Sequence, residues 1–139
     1  MKGYYEFGLY RGFSFWFANN IAWQMRLDFE FHGFDSFEGL PESKVDIHRN
    51  WSRGNYACSL DQVLSFFSKW QMPLAYHLHK GWWSPSFFAQ MAAQHSFPPA
   101  GIVFIDSDIY ESAREVLSFL AGIMSPGTLL LFEDYNAFN

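Results

Sequence analysis

Residues 101–132, GIVFIDSDIYESAREVLSFLAGIMSPGTLLLF, hold two apolar runs with a helical stretch between them, and that order decides the fold class. The run 101–106 (GIVFID) is almost wholly apolar, as a strand buried on both faces of a parallel sheet must be. From Tyr110 to Ile123, Ala113, Val116, Leu117 and Leu120 fall on one side at helical spacing. Pro126-Gly127 stops that helix, and 128–132 (TLLLF) reads as a further strand. Two buried strands joined through a helix make a right-handed parallel crossover.

The same alternation extends towards the N-terminus. Residues 3–8 (GYYEFG) read as a strand, and residues 13–26 as a helix with Phe17, Ala18, Ile21, Ala22 and Met25 on its inner face. Residues 28–35 (DFEFHGFD) form a second strand, 74–79 (LAYHLH) a third, and Ser84–Ala93 a short helix. Between Ser59 and Gln71 an amphipathic helix places Leu60, Val63, Leu64 and Phe67 together, with Ser59 or Asp61 as its cap. The stretch from Ser36 to Ala57 is polar and long for a compact domain, which marks it as a functional loop. Strands alternating with helices throughout predict an α/β protein with one parallel sheet.

Composition narrows the classes. At 139 residues the chain is one domain able to bury a core, and with 50% hydrophobic and 17% charged residues it is not disordered. The seventeen Phe are assigned to the core. A net charge of −5 without a Lys/Arg cluster argues against nucleic acid. A single cysteine, Cys58, excludes a disulfide framework, and no apolar run suits a membrane span or a secretory leader. The expected compartment is the cytoplasm.

In an open parallel sheet, ligands bind beyond the carboxyl ends of the strands. Four of the five predicted strands carry a carboxylate there: Glu6, Asp35, Asp106 and Glu133 with Asp134. Gly8 and Gly12 would let a ligand approach the backbone ahead of a helix N-terminus. Asp35 stands where an acid accepts the hydroxyls of a ribose, the alternative being an Asx-turn or a helix cap. Asp106 and the Glu133-Asp134 pair are one crossover apart, which allows them to share a hard cation such as Mg²⁺. His77 and His79 share a strand face and offer a ligand pair, although ordinary packing is commoner there; His48 lies in the long loop. The glycine pattern is not G-x-G-x-x-G, which counts against a nicotinamide oxidoreductase.

The strings FHGFDSFEGLPE (Phe31–Glu42), FIDSDIYESAREVLSFL (Phe104–Leu120) and SPGTLLLFEDY (Ser125–Tyr135) resemble the macrocin O-methyltransferase family of class I S-adenosylmethionine enzymes. YYEFGLYRGFS (Tyr4–Ser14) is similar to the family's first motif, E-x-G-x-x-x-G-x-S, and WSRGNY (Trp51–Tyr56) and KGWW (Lys80–Trp83) also fit. The resemblance implies a Rossmann-like doubly wound sheet in order 3-2-1-4-5, forming one domain over residues 1–139. It implies that S-adenosylmethionine meets Glu6, Gly8, Arg11, Gly12 and Ser14 at its methionine end, Asp35 and Ser36 at its ribose, and Gly81 and Trp82 at its adenine. Mg²⁺ would be held by Asp106, Glu133 and Asp134, Glu133 standing where the family has Asp. A hydroxyl of a sugar-like small molecule would be methylated, with Asp106 or Asp108 taking its proton.

Family chains are longer. Against them this chain starts at the first strand and ends after the fifth, without the usual C-terminal antiparallel hairpin or an N-terminal helical region. It is therefore expected to be a fragment, a truncated reading frame or a form completed as a homodimer. An inactive cofactor-binding fragment is the alternative to an active enzyme.

Overall fold

The computed structural model describes residues 1–42, 44, 53–107 and 109–133. Strands β1 (Lys2–Phe7), β2 (Phe29–Asp35), β3 (Tyr76–Lys80), β4 (Ala100–Ile105) and β5 (Leu129–Phe132) alternate with helices α1 (Phe13–Gln24), α2 (Leu60–Trp70), α3 (Pro85–Gln94) and α4 (Tyr110–Leu120). The strands form one sheet in order β3-β2-β1-β4-β5, and every neighbouring pair is parallel. Class and strand order thus agree with the expectation. The chain steps outward from β1 to β3 and then returns to β4, so the strand order reverses between β1 and β4. A crevice opens beyond their carboxyl ends at such a reversal.

Successive strand residues face opposite sides, and the two sides bury separate cores. Tyr4 and Phe31 pack with Phe15 and Ala22 of α1 and Val63 and Phe67 of α2. Tyr5, Phe7, Phe34, Val103 and Ile105 pack with Phe88 of α3 and Val116 and Leu120 of α4. Most of the phenylalanines serve this burial, each worth roughly 1.5–3 kcal/mol.

Helix α2 begins where its sequence says it should. Ser59 is the cap: the Gln62 N–H donates to its hydroxyl at 3.2 Å, and the Gln62 side chain accepts from the Ser59 N–H at 2.9 Å. The inner face of α1 is a correction. Phe15, Asn19 and Ala22 are buried, whereas Phe17 is 53% exposed and Ile21 and Met25 also reach the surface. Apolar residues surround this helix on all sides and none is charged, so its periodicity could not say which stripe the sheet would take. Likewise Leu64 of α2 and Leu117 of α4, expected inside, are partly exposed.

Three boundaries move for local reasons, and α4 is one: it ends at Leu120, not at Ile123, where the Gly122 N–H turns back to the Phe119 carbonyl. Helix α1 ends at Gln24 because Arg26 takes a left-handed conformation, φ 55°, with the Arg26 N–H bonded to the Trp23 carbonyl and the Leu27 N–H to that of Ala22. Strand β3 starts at Tyr76, not at Leu74, because Asn19 captures the Leu74 backbone. The Asn19 Nδ2 donates to the Leu74 carbonyl at 3.2 Å, and the Leu74 N–H donates to Asn19 Oδ1 at 3.0 Å. Among the described residues no helix is long and apolar enough to cross a membrane.

Candidate functional site

Strand β1 carries Glu6 near its carboxyl end as a fully buried carboxylate. The Tyr4 hydroxyl donates to its Oε2 at 2.7 Å, and the Ser14 hydroxyl donates to its Oε1 at 2.5 Å. Burial pushes the Glu6 carboxyl up to about 7; the Ser14 and Tyr4 hydroxyls pull against that rise, while Glu133 and Asp35 add to it as like charges.

After Phe7 the chain turns tightly at Gly8, φ 92°, whose N–H donates to the Phe34 carbonyl at 2.9 Å. A Cβ at Gly8 would lie 1.9 Å from the Asp106 carbonyl oxygen, and one at Gly12 2.8 Å from the Phe67 ring. Close approach of the chain to itself therefore accounts for both glycines, a tighter constraint than the ligand approach expected of them. Gly12, φ 83°, is the N-cap of α1, and neither a side-chain cap nor an acidic residue serves the first turn.

Asp35 sits opposite, at the end of β2. Its Oδ2 accepts from the Leu9 N–H at 2.6 Å and the Tyr10 N–H at 3.2 Å, and its Oδ1 accepts from the Phe37 N–H at 2.7 Å. The last bond is an Asx-turn, so the alternative kept open for Asp35 is realised. Burial raises its carboxyl above the usual carboxylate range, and the Phe37, Leu9 and Tyr10 N–H groups oppose the rise. Through Asp35 the loop after β1 and the loop after β2 become one unit. Ser36 is buried and braces the next turn: its hydroxyl donates to the Gly39 carbonyl at 2.8 Å and accepts from the Glu38 N–H at 3.1 Å.

The remaining expected residues are placed more loosely. Arg11 is exposed, its guanidinium 5.2 Å from the centre of the Tyr10 ring. The Gly81 N–H donates to the Asp35 carbonyl at 3.0 Å, which ties the end of β3 to that of β2, and Trp82 is exposed beside it. Among the described residues the buried indole N–H of Trp83 has no acceptor. The Asp106 N–H donates to the Phe7 carbonyl at 2.9 Å, and the Glu133 N–H to the Ile105 carbonyl at 3.2 Å, so both acids stand at the open end of the sheet. Asp108, Asp134, His48 and Trp51 lie outside the described residues. Among the described residues no three His, Cys, Asp or Glu side chains are grouped to hold a metal.

His77 and His79 do share a face, but as packed histidines. The nearly buried His79 Nε2 lies 3.1 Å from His32 Nδ1, and His32 Nε2 lies 2.7 Å from Glu30 Oε1. Burial, with the neighbouring histidines, lowers both His32 and His79 to about 3.

Two contributors were not singled out from the sequence. Tyr4 bonds Glu6, and its only signal was the two-residue spacing that puts both on one strand face. Tyr56, from the far arm of the long loop, meets the Tyr10 ring edge-on at 5.8 Å, and the arms of that loop join through Leu40, Gly54 and Asn55.

The donor set suits S-adenosylmethionine: two acids, Glu6 and Asp35, flank a glycine turn, and the α1 N-terminus has no side-chain cap. For Mg²⁺ the described residues supply two acids, Asp106 and Glu133, and no complete set.

Known proteins agree with this frame. The chain is 27% identical over 109 residues to an 8-demethyl-8-(2,3-dimethoxy-alpha-L-rhamnosyl)-tetracenomycin-C 4'-O-methyltransferase from Streptomyces olivaceus, covering 73% of this chain and 40% of that protein. The structure of the O-methyltransferase NovP superposes with a TM-score of 0.78 at 23% identity, covering 97% of this chain and 57% of NovP. That of CalS11, a calicheamicin methyltransferase, gives 0.79 at 16% identity, covering 98% of this chain and 58% of CalS11. Each relative is thus substantially longer than the span matched. The family described as Macrocin-O-methyltransferase (TylF) matches residues 3–139, and the chain belongs to that family.

Proposed function

We propose that this chain is the S-adenosylmethionine-binding part of an O-methyltransferase acting on a hydroxyl of a sugar-like small molecule. The observation that carries the reading is the pair of acids, Glu6 and Asp35, locked by hydrogen bonds on either side of the Gly8–Gly12 turn. Family membership supports methyl transfer, and two similar proteins support a sugar acceptor: the Streptomyces olivaceus protein is a rhamnosyl-tetracenomycin 4'-O-methyltransferase and CalS11 a TDP-rhamnose 3'-O-methyltransferase.

When bound, the cofactor supplies an electrophilic methyl on a positively charged sulfur, which an acceptor oxygen takes as the sulfur–carbon bond breaks. Glu6 faces the cationic amino end, and the α1 N-terminus favours the cofactor's carboxylate. Asp35 Oδ1 keeps a lone pair to accept a ribose hydroxyl, its Oδ2 already accepting from two backbone amides. Gly81 and Trp82 border the adenine, with Arg11, Gly12, Ser14 and Ser36 shaping the walls. Asp106 or Asp108 takes the proton of the acceptor hydroxyl. Asp106, Glu133 and Asp134 are the residues that would hold Mg²⁺, whose charge would favour ionisation of that hydroxyl.

Thermal shift with S-adenosylhomocysteine against NAD, with and without Mg²⁺, tests the reading. S-adenosylhomocysteine at one hundred times its dissociation constant should stabilise the fold by about 2.7 kcal/mol. NAD should give no shift, and Asp35→Asn should reduce the first shift. A shift with neither ligand overturns the proposal.

A further inference from the structure

Tyr4 has no place in the site as read from the sequence, yet it makes the closest contact to Glu6 from within the same strand. Both residues project to the α1/α2 side of the sheet, and the Tyr4 hydroxyl lies 2.7 Å from Glu6 Oε2. The phenol cannot swing away. Its ring stacks on Phe31 at 4.7 Å and meets Phe15 at 6.1 Å, and the residue is nearly buried. Ser14, from the first turn of α1, closes the other oxygen. A fully buried carboxylate with no cationic partner in these contacts is costly when ionised, and hydroxyl donors on both oxygens are what offsets that cost.

We propose that Tyr4 is a positioning residue of the cofactor site, holding the Glu6 carboxylate in place and ionised for the positively charged amino end of the bound cofactor. The inference rests on the cofactor reading above. The groups facing Glu6 are Tyr4 on β1, Ser14 on α1, and the acids Asp35 at the end of β2 and Glu133 after β5. The two acids raise the Glu6 carboxyl and the two hydroxyls lower it, against burial that takes it to about 7. Removing the phenol hydroxyl alone therefore moves Glu6 further up. Burial and the adjacent Glu6 also hold the Tyr4 hydroxyl well above the usual tyrosine range, so it remains a donor throughout the pH range of interest.

The test is calorimetric titration with S-adenosylhomocysteine between about pH 5.5 and 8.5 for the wild type, Tyr4→Phe and Glu6→Gln, with melting temperatures recorded alongside. Wild-type affinity should fall as pH drops below the Glu6 midpoint, approaching about tenfold per pH unit. Tyr4→Phe keeps the ring and should shift that midpoint upward by roughly half to one unit, with affinity recovered at the alkaline end. Glu6→Gln should bind weakly with no such dependence. A Tyr4→Phe profile with the wild-type midpoint overturns the inference, whatever its melting temperature. Absence of binding by the wild type at every pH overturns the cofactor reading, and this inference with it.

Discussion

Glu6 and the histidine pair oppose one another in their effect on stability. The folded Glu6 carboxyl lies at about 7 against an ordinary 4.5, so its contribution is fully present below 4.5 and is lost as pH rises through 7. His32 and His79 lie at about 3 against an ordinary 6.5, so theirs is present above 6.5 and is lost as pH falls towards 3. With two histidines acting against one carboxyl, stability should rise with pH to about 6.5 and decline between there and about 7. Urea unfolding from pH 4 to 8 checks this. Glu6→Gln should remove the decline on the alkaline side, a difference on the order of 3 kcal/mol at pH 8, and make the rise between pH 4.5 and 6.5 steeper. An unchanged alkaline decline would show that Glu6 ionises without strain. The sequence made Glu6 and Asp35 legible as acids at strand ends, because strand periodicity alone puts them there. It left open whether Asp35 also binds backbone, which depends on the Leu9 and Tyr10 amides arriving from the loop after β1 as well as on the local Phe37 amide.

Helix α1 shows the limit of pattern reading for an element. Its residues Phe13–Gln24 are apolar or uncharged all round, and the inner stripe was misassigned because no polar face defined an outer one. What orients it is Asn19, buried and doubly bonded to the Leu74 backbone across the domain, a polar residue that pattern reading would place outside. Asn19→Ala should leave both Leu74 backbone groups unsatisfied and cost about 2–4 kcal/mol by chemical denaturation. A loss under about 0.5 kcal/mol would mean that strand pairing replaces those bonds. Helix α2 is the opposite case. Its Ser59 cap and buried Val63 and Phe67 were readable, since each depends on residues within one turn of another, whereas the Gln62 half of the capping box was not singled out.

The whole molecule is an all-parallel sheet with unequal cover. Leu130 packs into the core on the α3/α4 side, whereas Leu129 and Leu131, on the other face, are 53% and 43% exposed, and among the described residues β5 is an edge strand. Parallel sheets elsewhere have both faces covered, and an apolar edge of this kind invites self-association. The pair Leu129→Lys and Leu131→Lys should lower the scattering of concentrated solutions of this chain while changing its unfolding free energy by less than about 1 kcal/mol. A loss of several kcal/mol would show that these side chains are buried in solution.

The sequence by itself determined the α/β class, the alternation of elements and the strand ends at which acids collect, because these follow from periodicity and turn chemistry within a few residues. The family strings implied the strand order, which the sheet reproduces. Tertiary structure alone decided which side of α1 faces in, why Gly8 and Gly12 must be glycine, and that Tyr4 and Ser14 close on Glu6. Each of those depends on contacts between segments far apart in the chain, where packing and hydrogen-bond satisfaction, and not local preference, set the outcome.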